Sequence, residues 1–130
     1  MRRDMDLVRA ILMAVEAKAT PEGVWMSEID VPDWPDDSIR RKHFVMMAEA
    51  GFFECEPTRS TTNPSRFIMV LVFDLSWKGH EYLDTIRDPK VWKNAKAGVR
   101  KIGGSSFDFV IEVAKAMGRG ALRDAGIPGM

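Results

Sequence analysis

Leu7, Val8, Ile11, Leu12 and Val15 recur at helical spacing, with Arg9 and Glu16 off that face. The spacing predicts a first helix, capped by Asp4 or Asp6 and ended by Thr20, because Pro21 and Gly23 break it. From Val24 to Trp34 the pattern changes: Pro32 and Pro35 forbid a continuous helix, and Val24-Trp25-Met26 fits a short strand. A second helix is expected from a cap at Asp36, Asp37 or Ser38 through Ala50. Its inward side would carry Ile39, His43, Met46, Met47 and Ala50, and Gly51 suits the left-handed stop. Phe52 to Glu56 and Arg66 to Leu75 read as strands, joined by the polar loop Pro57 to Ser65. That loop is too long for a tight turn and suits a flexible wing.

Ser76 can cap a further helix bearing Trp77, Tyr82, Leu83 and Ile86, and Asp88-Pro89 opens another with the stripe Trp92, Ala95, Val99 and Ile102. Gly103-Gly104 ends it. Ser105 and Asp108 form a weak capping box for a last helix with Phe107, Val110, Ile111, Ala114 and Met117. The order helix, short strand, helix, strand, wing, strand and three helices predicts an α+β, winged-helix-like domain with additional C-terminal helices. That domain would span residues 1–117, with the C-terminal helices from residue 89, and the glycines from Gly118 predict a flexible tail over 118–130.

Composition narrows the function classes. The 130 residues suit one domain, and 45% apolar with 29% charged residues is ordinary globular usage. Formal net charge is zero, so any nucleic-acid binding must come from a local patch. Cys55 is the only cysteine, which excludes an internal disulfide. The charged start Met1-Arg2-Arg3-Asp4-Met5-Asp6 leads into an amphipathic segment and does not read as a secretory apolar core, and the longest apolar run, Phe67 to Phe73, is strand-sized. A cytoplasmic protein with no membrane partner is expected.

Three separated motifs carry a family resemblance: Arg2-Arg3-Asp4-Met5-Asp6-Leu7-Val8-Arg9, the His43 helix closing in Glu49-Ala50-Gly51-Phe52, and Trp77-Lys78-Gly79-His80-Glu81-Tyr82-Leu83-Asp84-Thr85-Ile86-Arg87-Asp88. With Val91-Trp92 and Gly103-Gly104-Ser105, the chain resembles a bacterial and phage-associated family, domain of unknown function 2513, from Met1 to about Met117. The resemblance implies a winged-helix-like fold and a phage or prophage setting. It transfers no activity and no catalytic residue. The long, very apolar second wing strand is a feature of this chain.

In a winged helix the helix before the hairpin lies in the major groove. Here that helix carries Arg40, Arg41, Lys42 and His43 in its first turns, suited to phosphate or guanine contacts or simply to a solvated face. Asp36 and Asp37 at its cap would repel phosphates, and the stretch from Thr20 to Pro35 leaves no room for a full supporting helix. Arg59 in the wing loop and Arg66 just after it could donate to phosphates in the minor groove, or simply be what an exposed hairpin carries. Lys93, Lys96 and Arg100 share a face within a basic stretch, Arg87 to Lys101, that suits nucleic acid, an acidic protein or plain solvation.

Enzyme chemistry finds little footing. His43 and His80 sit on predicted helices, and Glu54 and Glu56 beside Cys55 would discourage a thiolate. Gly103-Gly104-Ser105 lacks the flanking pattern of a phosphate loop. The expectation is a non-enzymatic, cofactor-free and metal-free regulator of double-stranded DNA. It would act as a homodimer paired through Phe107, Val110, Ile111 and Ala114. The rival expectation is a protein-interaction module working through the C-terminal helices.

Overall fold

Two ties fix the second helix of this chain, one at its middle and one at its carboxyl end. In a computed structural model that describes residues 1–102 and 106–124, the helices are α1 (Met5–Lys18), α2 (Asp37–Glu49), α3 (Trp77–Ile86), α4 (Pro89–Ile102) and α5 (Phe107–Asp124). The strands are β1 (Val24–Trp25), β2 (Phe53–Arg59) and β3 (Phe67–Leu75), forming one antiparallel sheet in the order β1-β3-β2. The fold is α+β. The chain divides into one unit from Met1 to His80 and another from Glu81 onward.

In the first unit, Asp4 caps α1: its Oδ1 accepts from the N–H groups of Asp6 and Leu7. Leu7, Ile11, Leu12 and Val15 are fully buried with Met26, Ile29, Phe44, Val70, Val72 and Leu75. A single 3-10 turn, Met26–Glu28, takes the place of a supporting helix. Met26, Ile29 and Val31 are buried, so this irregular segment still contributes to the core despite its prolines.

Asp36 is the N-cap of α2, its Oδ1 accepting from the Ile39 N–H. The inward face of α2 is His43, Phe44, Met47 and Ala48, with the Phe44 ring 6.0 Å from that of Phe53. This rotates the expected face: Ile39 and Ala50 are exposed and Met46 is half-buried. Gly51, at φ +86°, ends the helix in a Schellman arrangement, with Phe52 N–H donating to the Met47 carbonyl and Gly51 N–H to that of Ala48.

The start of α3 seals that same helix end. Ser76 Oγ donates to the Gly51 carbonyl at 2.6 Å and Lys78 Nζ to the Ala50 carbonyl at 3.3 Å. Ser76 Oγ also accepts from Gly79 N–H. A Cβ on Gly79 would stand 2.3 Å from the Phe52 carbonyl oxygen, so glycine is what allows this approach. Trp77, expected among the apolar members of the helix, is instead 81% exposed at its first turn.

The hairpin differs from expectation in two respects. β2 runs through Pro57 to Arg59, which is possible because β2 is the sheet edge and its proline needs no ladder partner on the open side. The wing is also braced rather than loose. Ser60 Oγ accepts from the N–H groups of Thr62 and Asn63, and Asn63 Oδ1 accepts from Ser65 N–H and Oγ–H. Backbone bonds Ser60 N–H to Arg66 O and Arg66 N–H to Asn63 O close the loop.

In the second unit, Leu83 and Ile86 of α3, Trp92, Ala95 and Val99 of α4, and Phe107, Val110, Ile111 and Ala114 of α5 are buried. Phe107 lies 5.8 Å from the Tyr82 ring and 6.2 Å from that of Trp92. The expected dimer surface is thereby overturned: Phe107, Val110, Ile111 and Ala114 are buried within their own chain and offer no face to a second copy. The expected tail is shortened too, since α5 continues to Asp124 through Gly118 and Gly120. Gly103-Gly104-Ser105 and residues 125–130 lie outside the described residues.

Candidate nucleic-acid interface

A groove of about 420 Å³ opens between α2 and the wing. Arg41, Lys42, Val45, Met46 and Glu49 line it from α2, and Ser60, Arg66, Phe67 and Ile68 from the hairpin. The outward residues of α2 stand at helical spacing, so one stripe faces the groove. The β3 residues reach it because the braced turn returns the chain at Arg66. Ile68 is 47% exposed, so the floor is partly apolar.

The sequence-derived basic residues separate into two groups. Arg40 is structural: its side chain is 16% exposed, with Nη1 donating to the Trp34 carbonyl at 2.8 Å and Nη2 to Asp37 Oδ1 at 2.9 Å. Arg59 is also held, with Nη1 on the Pro64 carbonyl and its guanidinium 4.8 Å from the Phe67 ring centre. Arg41, Lys42 and Arg66 line the groove. Arg41 makes only a long contact, 3.9 Å, to Asp37 Oδ2, and neither Lys42 nor Arg66 has an ion pair among the described residues.

On α4, in the second unit, Lys93 and Arg100 are exposed, and Lys90 lies three residues ahead of Lys93 on the same stripe. Lys96 is half-buried, its ammonium 5.2 Å from the centre of the Trp92 ring, which takes it out of that surface.

His43 is fully buried. Its Nε2 accepts from the Asp4 backbone N–H at 2.9 Å, and its Nδ1 lies 2.8 Å from the Ile39 carbonyl, to which it donates. Nδ1 is thus used within α2, while Nε2 ties α2 to the cap of α1. Burial pushes the Cys55 thiol up, away from thiolate chemistry; Glu54 and Glu56, on the opposite pleat face, are not the cause. Among the described residues no group of three or more His, Cys, Asp or Glu side chains is placed to hold a metal. No described helix is long and apolar enough to cross a membrane.

The groove and its helix define an α+β protein with a basic helix–hairpin concavity. By its sequence the chain belongs to the family of hypothetical proteins DUF2513, which matches residues 2–106. It is 30% identical over 118 residues to an uncharacterized protein of Haemophilus influenzae, covering 90% of this chain and 95% of that protein. No solved structure matches it.

Sequence reasoning missed Val45, Met46, Glu49, Phe67 and Ile68 as groove residues. Their only signal was position: Val45 and Glu49 fall three and seven residues after Lys42, on the same helical side.

Proposed function

We propose that this chain is a non-catalytic DNA-associated regulator with a winged-helix-like arrangement, in which α2 is the groove-entering helix and the β2–β3 hairpin is the wing. The observation that carries this reading is the convergence of Arg41, Lys42 and Arg66 on one concavity, two of them without an ion pair among the described residues. Cations held beside a groove but not neutralised are available to phosphates. The bracing of α2 at its middle and its carboxyl end, and of the wing turn, favours binding, because little side-chain and loop freedom is lost on contact.

A fluorescence titration with duplex DNA across salt concentrations tests it. Three phosphate contacts give a log–log salt slope of about −2.7, and Lys42→Ala/Arg66→Ala should flatten it by about 1.8. Absence of binding at low salt rejects the reading. The exposed cations Lys90, Lys93 and Arg100 on α4 favour a rival one, docking of an acidic protein. That rival predicts indifference to the groove variants and loss of a partner in Lys93→Ala/Arg100→Ala.

A further inference from the structure

Glu49 is the odd member of the groove. It lies on the same outward side of α2 as Lys42 and Val45, in a concavity shared with three cations. Yet it is exposed and makes no ion pair or hydrogen bond among the described residues. A surface that only holds phosphates is weakened by an unpaired carboxylate, because it repels every phosphate equally. The same carboxylate is an asset if it faces a base edge. An ionised carboxylate only accepts hydrogen bonds, and in the major groove the exocyclic N4 amino group of cytosine is a donor that guanine and thymine lack there.

The placement along α2 supports base reading at this end of the helix. At the N-terminal turn of α2, Asp36 is the cap and Asp37 pairs with Arg40 and Arg41, so part of the basic charge there is already answered. Further along the helix Lys42, Val45 and Glu49 line the groove without such pairs among the described residues. Lys42 to Glu49 spans about 10 Å of helix, or roughly three base-pair steps. Along it stand an ammonium donor, an apolar side chain and a carboxylate acceptor, chemistry that matches guanine O6 and N7, a thymine methyl and cytosine N4. Ser76 and Lys78 bind the α2 carboxyl end just beyond Glu49, so this turn is fixed rather than frayed.

We infer that Glu49 is a specificity-determining residue that selects cytosine in the major groove of duplex DNA, close to a guanine read by Lys42. The inference rests on the DNA reading of the same groove, and it converts a general phosphate surface into a sequence-selective one. Glu49 accepts from cytosine N4 and repels the carbonyl oxygen of guanine or thymine; adenine offers an amino donor too, but beside its N7 acceptor, which repels the carboxylate.

Selection from a randomised duplex library, followed by titration of the selected and a scrambled duplex, tests it on the full chain and on Glu49→Gln. The expected result is an enriched motif with a cytosine within about three base pairs of a guanine. Glu49→Gln should lose the cytosine preference, with the selected-to-scrambled affinity ratio falling about tenfold, while affinity for the scrambled duplex rises. Circular dichroism of the variant establishes that the exposed substitution leaves the fold intact. Duplex binding without an enriched motif, or an unchanged cytosine preference in Glu49→Gln, overturns the role of Glu49 and leaves the DNA reading standing. No duplex binding by the unaltered chain at low salt overturns both.

Discussion

The backbone N–H of Asp4 donates to Nε2 of His43 across 2.9 Å, joining the cap of α1 to the buried face of α2. The opposite ring nitrogen donates to the Ile39 carbonyl, so both contacts together require the neutral tautomer with its proton on Nδ1. Asp4 Oδ2 also accepts from the Trp34 indole N–H, and Trp34 in turn receives Arg40 at its carbonyl. One polar chain thus runs from α1 through the irregular segment to α2.

His43→Leu keeps the volume but strands the Asp4 N–H and removes the tie. The expected loss is about 2–3 kcal/mol, read as a lower urea midpoint with unchanged slope.

Arg40 and Lys42 are two residues apart and should behave oppositely. Arg40→Ala removes two hydrogen bonds from a half-buried guanidinium and should lower stability by about 1 kcal/mol while leaving DNA affinity nearly unchanged. Lys42→Ala should leave the unfolding midpoint in place and reduce the salt slope of DNA binding by about 0.9. Equal loss of DNA affinity in both variants would contradict the structural assignment of Arg40.

Gly79→Ala sets two effects against each other. Alanine in a helix gains about 1 kcal/mol over glycine by propensity. The added Cβ, 2.3 Å from the Phe52 carbonyl oxygen, forces α3 away from the end of α2. Overpacking of this kind costs about 2–3 kcal/mol, so the net change is destabilising. A thermal midpoint at or above that of the unaltered chain would refute the close approach.

Tyr82 Oη donates to Asp108 Oδ1 at 2.5 Å. This bond, aided by burial and by the Asp108 and Glu112 charges, pushes the phenol up to about 12. An unfolded tyrosine ionises near 10, so above that pH the unfolded chain releases a proton that the folded chain retains. The contribution of this pair is therefore complete below about pH 10 and is lost as pH rises through about 12. Unfolding measured from pH 9 to 12 should show the decline, and Tyr82→Phe should remove this part of it.

Local chemistry made much of this fold legible. Apolar periodicity located α1 and α4, the Asp36 and Asp88 caps and the Gly51 stop bounded their helices, and Arg66 to Leu75 read as a strand that begins one residue later, at Phe67. Family membership was equally legible from three short motifs, and the match to residues 2–106 agrees with it. The structure gives part of that pattern a mechanical meaning: Ser76, Lys78 and Gly79 are the lock on the α2 carboxyl end.

Other features depended on partners distant in sequence. Pro57 entered a strand because β2 lies at the sheet edge, and the wing became rigid through Ser60 and Asn63 side chains folding back on their own loop. Trp77 looked like core by residue type, yet no packing covers most of its surface.

The sequence by itself determined the helices, the strands, the family and the presence of basic residues around α2. It did so because caps, breakers and apolar spacing act over a few residues. Only the tertiary structure decided which cations remain available. Arg40 and Arg59 are consumed by carbonyls brought near by the chain's return, while Arg41, Lys42 and Arg66 share one groove with Glu49. Charge is written residue by residue, but its neutralisation depends on three-dimensional neighbours.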